Sequence, residues 1–324
     1  MVIGRNGVGK TTFLTSLSTL LRRGRDRRLG RITFREDADG LAKDQFASLI
    51  TVAFSAFDHF APPSQTSSGP LRSRKAGTQS GISYTYVGLK KRVLRKGSRT
   101  VSNKGDAELQ RDFVDSTLQC LRSASRPRWQ AAMRILEADQ LFANLGLSAL
   151  PEVEADKLEK HAAELFEKAS SGHKIVLLTL TRLAELVDEK TLVLIDEPEA
   201  HLHPPLVMAF VRALSDLLAR RNGVAILATH SPVVVQEVPA HCVTLMFRTG
   251  EITVERPEIE TFAENLGALT REIFRVEVTE SGHHALIAEA VDESETLDEV
   301  LGFFGDRLGA EGRSLARAML RNKA

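Results

Sequence analysis

Gly4-Arg-Asn-Gly-Val-Gly-Lys-Thr11 is a complete G-x4-G-K-[ST] phosphate loop, and Thr12 follows it directly. Its glycines let consecutive backbone N–H groups curl around a phosphate, where residues with a Cβ would obstruct them. A helix that begins near Lys10 points its positive end at the same anion. We expect Lys10 to reach the β- and γ-phosphates of a nucleotide and the Thr11 hydroxyl to ligate Mg²⁺. The predicted nucleotide-binding residues of this loop are Asn6, Gly7, Val8, Gly9, Lys10, Thr11 and Thr12.

Two apolar, β-branched runs predict buried parallel strands, and each run ends in polar residues. The first, residues 191–195, ends in Asp196-Glu-Pro-Glu199, and the second, residues 224–228, ends in Thr229-His-Ser-Pro232. Ligands of α/β sheets bind at the carboxyl ends of the strands. We therefore predict that Asp196 holds Mg²⁺ through water and that Glu197 is the general base.

His230 follows the second strand by one step and is predicted to hydrogen-bond the γ-phosphate. A single histidine is more often structural, but the position of His230 after the Asp196 strand favours a functional role. His201 and His203 flank Leu202, a spacing that invites a metal interpretation. We favour a loop at a subunit interface over a zinc site, because no cysteine or third ligand is nearby.

Ser170-Ser-Gly172 lies twenty-four residues before Asp196 and opens an apolar run that predicts a buried helix. A serine at this point could be an ordinary N-cap. Its position relative to Asp196 and His230 favours a functional interpretation. The sequence contains no H-N-H constellation, and no acidic cluster of the toprim nuclease type follows Phe274.

The segments 197–204 and 228–232 resemble the ABC-type ATPases, in the branch that contains DNA-repair and phage-defence ATPases. More narrowly, residues 170–178 and 228–239 resemble the PtuA family, the ATPases of Septu anti-phage systems, which also occur beside some retron reverse transcriptases. The resemblance implies an α/β head with a mostly parallel central sheet and an inserted helical subdomain. It implies ATP and Mg²⁺ as ligands, a head-to-tail homodimer or higher oligomer, and a separate HNH nuclease as partner. Each site would be completed by the other copy's Ser170, Ser171 and Gly172.

The chain departs from that family in four places. Ala169 stands where the family usually has leucine, and His173 stands where transporters usually have glutamine. The strand that should lead to a Mg²⁺-binding glutamine ends instead in Phe54-Ser55. Only Met1-Val-Ile3 precedes the phosphate loop, so we expect a head that lacks the family's N-terminal strands.

Composition restricts the protein class. The 324 residues are 43% hydrophobic and carry a net charge of +1, so there is material for a large core and no bulk charge preference for a partner. Two cysteines far apart in sequence favour a reducing compartment over a disulfide scaffold. No apolar run approaches the roughly 18–20 residues that span a bilayer and no signal peptide is visible, so we expect a cytoplasmic protein without membrane contact.

The segment between Asp58 and Asp106 contains ten cations and no acidic residue. Two interpretations remain open: a track for DNA or an RNA–DNA hybrid, or a solvated lid whose lysines protect a sheet edge. The cations are Arg72, Arg74, Lys75, Lys90, Lys91, Arg92, Arg95, Lys96, Arg99 and Lys104.

The predicted organisation has four parts: residues 1–58 with the phosphate loop, 59–168 with the basic lid and a helical insertion, 169–275 with the remaining motifs, and 276–324 as a helical tail. Trp129 is expected in the core, and a hairpin is expected over residues 242–256 with its turn at Thr249-Gly250. Three functions remain open: an ATP-hydrolysing dimeric regulator of defence, an ATP-gated scaffold with little turnover, and a DNA-repair or recombination ATPase acting directly on DNA.

Overall fold

The structure is a computed structural model that describes residues 1–23, 25–31, 45–53, 82–95, 98–200, 202–248, 250–274 and 282–323. The strands are β1 Val2–Ile3, β2 Arg25–Asp26, β3 Gly30–Arg31, β4 Ser48–Ala53, β5 Ser83–Gly88, β6 Lys90–Arg95, β7 Ser98–Asn103, β8 Thr191–Asp196, β9 Val224–Thr229, β10 Thr244–Arg248 and β11 Ile252–Glu255. The α-helices are α1 Lys10–Arg23, α2 Asp106–Leu121, α3 Arg126–Leu136, α4 Gln140–Leu145, α5 Leu158–Lys168, α6 Ser171–Leu186, α7 Pro204–Ala219, α8 Pro232–Val235, α9 Leu266–Phe274, α10 His283–Asp292, α11 Leu297–Phe303 and α12 Ala310–Lys323. Short 3-10 helices cover Leu147–Glu152 and Ala240–Cys242.

Seven strands form the central sheet in the order β11-β10-β1-β9-β8-β4-β5. All neighbouring pairs are parallel except β10 and β11, which pair antiparallel. Every residue of β8 is buried, as its unbroken apolar run predicts for a strand covered on both faces. The predicted α/β class with a mostly parallel sheet is confirmed.

The register of the sheet aligns the carboxyl ends of three strands. Ile3, the last residue of β1, is opposite Thr229, and Asp196, the last residue of β8, is opposite Ala228. Because the strands are parallel, the loops that follow them leave the same edge of the sheet. The phosphate loop and the two polar strand ends therefore meet there.

Helices α2 to α5 form the predicted helical insertion and pack with α6 and α7 around one apolar cluster. In α2, Phe113 and Val114 are buried, and the Phe113 ring stacks on Phe166 of α5 at 5.1 Å. Trp129 is fully buried, as predicted, and its indole Nε1–H donates to Thr181 Oγ1 at 3.1 Å. The insertion therefore shares its core with the helix that begins at the predicted serine-glycine turn.

The hairpin of β10 and β11 is confirmed, with bounds that differ from the prediction. Cys242 lies in a 3-10 turn rather than in the strand, because the N–H groups of Cys242 and Val243 donate to Pro239 and Ala240. Gly250, at the predicted turn, has φ +116°, and Thr249 lies outside the described residues. All four residues of β11 are exposed.

The two cysteines differ in their exposure to solvent. Cys120 is buried and Cys242 is exposed, and burial raises the pKa of the Cys120 thiol to about 12. Within the described ranges, no helix combines the length and the apolar character needed to cross a membrane. Several residues singled out in the sequence lie outside the described part of the chain. They are Phe54-Ser55 at the predicted loop end, His201, and the cations Arg72, Arg74, Lys75 and Lys96.

Candidate phosphate-binding site

The phosphate loop connects β1 to α1 and packs tightly against the sheet at its start. A Cβ at Gly4 would lie 2.2 Å from the Met246 carbonyl oxygen of β10, so only glycine fits between the loop and this strand. Gly7 and Gly9 have φ of +83° and +107°, in the left-handed region, and the space above Gly7 is open. Val8 is buried, so its contribution to a ligand comes from its backbone N–H.

Lys10 lies at the first position of α1 with only 4% of its surface exposed. Its Nζ donates to the carbonyl oxygens of Gly4 and Arg5 at 2.7 and 2.8 Å. Burial lowers the pKa of Lys10 below its ordinary value, and the carboxylates of Glu197, Asp196 and Glu199 act in the opposite direction. The predicted phosphate lysine and the acidic strand end are thus close enough to interact electrostatically.

Asp196 and Glu197 lie where β8 ends. Asp196 is 2% exposed, and Glu197 adopts a left-handed backbone with φ +45°. The Glu197 N–H donates to the Ala228 carbonyl at 2.8 Å, which fixes this bend against β9. A left-handed conformation costs a non-glycine residue roughly 1–2 kcal/mol, so the surrounding structure must impose it. The bend directs the Glu197 carboxylate to His230, whose Nδ1 is 3.4 Å from Glu197 Oε1.

Glu199 is the functional residue that sequence reasoning did not assign. Its Oε1 accepts from Thr229 Oγ1 at 2.6 Å and from the His230 backbone N–H at 2.9 Å, and lies 3.2 Å from His230 Nδ1. Glu199 therefore joins the loop after β8 to the end of β9. A signal for it existed in the sequence, since a second acid follows Glu197 and the next strand ends in donors at Thr229 and His230.

The donor set at this edge fits a nucleotide with a divalent cation. Three carboxylates act electrostatically on one buried lysine, an excess of negative charge that a cation would offset. Beside the loop lies an open depression of about 480 Å³, lined in part by Arg5, Asn6, Gly7, His230 and Phe274. Thr11 and Thr12 occupy the first turn of α1, where Thr11 is half-buried and Thr12 is exposed.

The predicted serine-glycine turn lies at the start of α6. Ser170 and Ser171 are exposed, whereas Gly172 and His173 are buried. Ser170 occupies the N-cap position, yet its hydroxyl makes no capping bond to the helix backbone and instead lies 2.7 Å from His173 Nδ1. The Ser170 carbonyl oxygen accepts from the Lys174 N–H of the same helix at 2.8 Å. The ordinary N-cap interpretation is therefore wrong for the Ser170 side chain.

The basic segment is partly neutralised by α2. Lys91 pairs with Glu108, and Lys104 Nζ lies 2.6 Å from Asp112 Oδ2. Both acids follow the stretch that contains no acidic residue, so the sequence pattern alone overstated its free charge. β6 and β7 pair along their whole length as an antiparallel hairpin.

The comparisons with known proteins agree with this geometry. Residues 152–236 match the family model described as "AAA domain, putative AbiEii toxin, Type IV TA system", a segment that includes α6, both polar strand ends and His230. The fold is that of a P-loop ATPase. The sheet, the phosphate loop and the matched segment together support ATP binding, for which Mg²⁺ is the usual companion.

The chain is also similar to protein ea59 of Escherichia phage lambda, with 41% identity over 352 residues. The similarity covers 99% of this chain and 62% of that protein, so the chain spans about three-fifths of the relative's length. The assignment to the Septu ATPases is a proposal.

Proposed function

We propose that the protein is an ATPase whose active unit is a head-to-tail pair of copies, and that this pair regulates a separate HNH-type nuclease in anti-phage defence. The observation that carries the ATPase part is the convergence of Lys10, Asp196, Glu197 and His230 at one edge of the sheet. The exposure of Ser170 and Ser171, outside that group, supports pairing, because another copy can reach them.

The residues of one copy have distinct tasks. Lys10 would exchange its two carbonyl acceptors, Gly4 and Arg5, for phosphate oxygens. Thr11 and Asp196 would hold Mg²⁺, which when bound neutralises charge on the phosphates. Glu197 orients the attacking water and accepts its proton, and His230 hydrogen-bonds the γ-phosphate. Because Glu199 fixes the His230 backbone, the two strand ends respond together to phosphate.

The second copy would complete the site with the hydroxyl groups of Ser170 and Ser171 and the backbone N–H of Gly172. These groups begin α6, whose positive end favours an anion. The regulatory part of the proposal rests on the resemblance of residues 170–178 and 228–239 to PtuA. Co-purification with an HNH protein encoded beside the gene tests that part separately.

Replacement of Glu197 by glutamine tests the ATPase part. Because the amide cannot accept the water's proton, we expect phosphate release to fall at least about a hundredfold and an ATP-bound pair to accumulate. Phosphate release and light scattering after size exclusion measure the two effects. The matched control is Glu189→Gln, at an exposed carboxylate before β8, which should behave as the parent.

The same experiment separates hydrolysis from the scaffold alternative. A scaffold that uses ATP as an assembly ligand would pair equally well with either residue at position 197 and would release little phosphate in both forms. That outcome would replace the first proposal by the second.

A further inference from the structure

A polar cluster around the buried His173 side chain connects the serine-glycine turn to two other parts of the molecule. His173 of α6 lies between Ser170 and Asp139, with Ser170 Oγ 2.7 Å from Nδ1 and Asp139 Oδ1 3.1 Å from Nε2. Asp139 is the N-cap of α4 in the helical insertion and accepts from the N–H groups of Leu141 and Phe142. Its other oxygen lies 3.5 Å from Nε2 of His203, the residue before α7.

The protonation of this cluster follows from its geometry. Asp139 is a carboxylate, since its pKa lies below the ordinary value: burial acts to raise it, but bonds from His173 and two backbone N–H groups lower it by more. A carboxylate 3.1 Å from Nε2 requires a proton on that nitrogen. In a neutral imidazole, Nδ1 is then the acceptor, so the Ser170 hydroxyl donates its proton inward to His173.

In that arrangement the Ser170 hydroxyl proton points to His173 and is not available to the proposed phosphate ligand. A hydroxyl can contact a phosphate oxygen only by donating its proton, and a hydroxyl has one proton to donate. When His173 takes up a second proton from solvent, Nδ1 becomes a donor to Ser170 Oγ. The hydroxyl proton of Ser170 is then available to an anion outside, while Asp139 stabilises the imidazolium.

We propose that His173 and Asp139 are positioning residues that set the direction of the Ser170 hydroxyl proton, and that protonation of His173 prepares the turn to bind the partner's γ-phosphate. The inference rests on the proposed function, because it assigns that phosphate to Ser170.

The groups around His173 come from three elements. Asp139 of the insertion and His203 before α7 face the ring, His203 with its ring centre 5.8 Å away. The Phe142 ring contacts His173 edge-on at 4.6 Å. On α6 itself, Lys174 is directed to Asp106 of α2 at 3.3 Å. Asp139 is therefore the anion that bonds the His173 ring, and Lys174 has its own partner.

The test measures ATP-driven pairing of the full chain across about pH 5.5–8.5, where histidine titrates. We expect pairing of the parent to strengthen as the pH falls, because a proton on His173 Nδ1 leaves the Ser170 hydroxyl proton available to the phosphate. At each pH, the strength of pairing of His173→Gln is subtracted from that of the parent. This difference removes the contributions of ATP and of other histidines, which both proteins share. We expect His173→Gln to remove the increase in pairing at low pH. We expect Asp139→Asn to weaken pairing by about tenfold or more.

Three controls make the result specific. Binding of a fluorescent ATP analogue to the single copy should stay unchanged in both variants, because the Lys10 site is untouched. His161→Gln, at an exposed histidine of α5, should keep the parent's pH curve. Ser170→Ala, at an exposed position, should remove the same pH-dependent part, and it serves if His173→Gln fails to fold.

Each outcome decides the inference. If the parent pairs but the variants show its full pH dependence and strength, the positioning role is overturned and the proposed function stands. If the parent binds ATP and never pairs, both are overturned.

Discussion

Glu199 joins the loop that follows β8 to the end of β9. One oxygen of its buried carboxylate accepts hydrogen bonds from the Thr229 hydroxyl and the His230 backbone N–H. The side chain is only 10% exposed, so water cannot replace these bonds easily. Position 199 therefore governs the placement of the His230 backbone.

We predict that Glu199→Ala lowers the rate constant of ATP hydrolysis by about tenfold or more, because His230 loses its backbone anchor and a charged hydrogen-bond partner is removed. The Kd for ATP should change by less than about threefold, since Lys10 and the loop remain. Steady-state phosphate release and nucleotide titration measure both. Glu251→Ala, at an exposed carboxylate, is the control; full activity of Glu199→Ala would contradict the role.

At the scale of elements, one arginine of the helical insertion caps the carboxyl end of α6. Arg128 of α3 donates to the carbonyl oxygens of Ala184, Glu185 and Val187 at 2.5, 3.2 and 2.7 Å. These are carbonyls that the end of a helix leaves without an intrahelical partner. The guanidinium thus replaces the glycine or asparagine cap that the sequence does not supply there.

We predict that Arg128→Met lowers the free energy of unfolding by about 2–4 kcal/mol, because buried carbonyls would lose their donor. Urea unfolding followed by circular dichroism measures the change. Arg134→Met, at an exposed position on the same helix, should stay within about 0.5 kcal/mol of the parent. A loss at position 128 no larger than this control would mean that water satisfies the end of α6.

The sequence predicted elements better than it predicted contacts between them. The apolar runs were sufficient to predict β8 and α6 as buried elements. The run of β9 predicted a strand in the right place, but only its last three residues are buried and Val224 is exposed. The capping role of Arg128, the Glu199 bridge and the Ser170–His173 bond were not predictable, because each joins residues that are close only after the sheet and insertion have packed. The Lys91–Glu108 and Lys104–Asp112 pairs changed the charge pattern for the same reason.

At the scale of the whole molecule, the basic hairpin is where a nucleic acid would contact the protein, if the DNA hypothesis holds. We predict that replacing Lys90, Lys91, Arg92, Arg95 and Lys96 by alanine reduces DNA affinity and flattens its dependence on salt. Lys91→Ala alone should have a smaller effect, because Glu108 already neutralises this lysine.

Fluorescence anisotropy with a labelled duplex at several salt concentrations measures that prediction. A variant that replaces the exposed Lys157 and Lys160 of α5 controls for net charge. Affinity unchanged in the fivefold variant would leave the hairpin as a solvated edge and would remove the DNA-repair alternative.

The difference in exposure between the two thiols makes it practical to measure the assembly of copies by fluorescence. Cys120 is buried with a pKa near 12, while Cys242 is exposed just before β10. Since β10 runs parallel to β1, Cys242 lies at the opposite edge of the sheet from the phosphate loop. A maleimide dye would therefore attach once per chain, away from the nucleotide. Energy transfer between donor- and acceptor-labelled populations would then report assembly in real time, with no cysteine engineered into or out of the natural sequence.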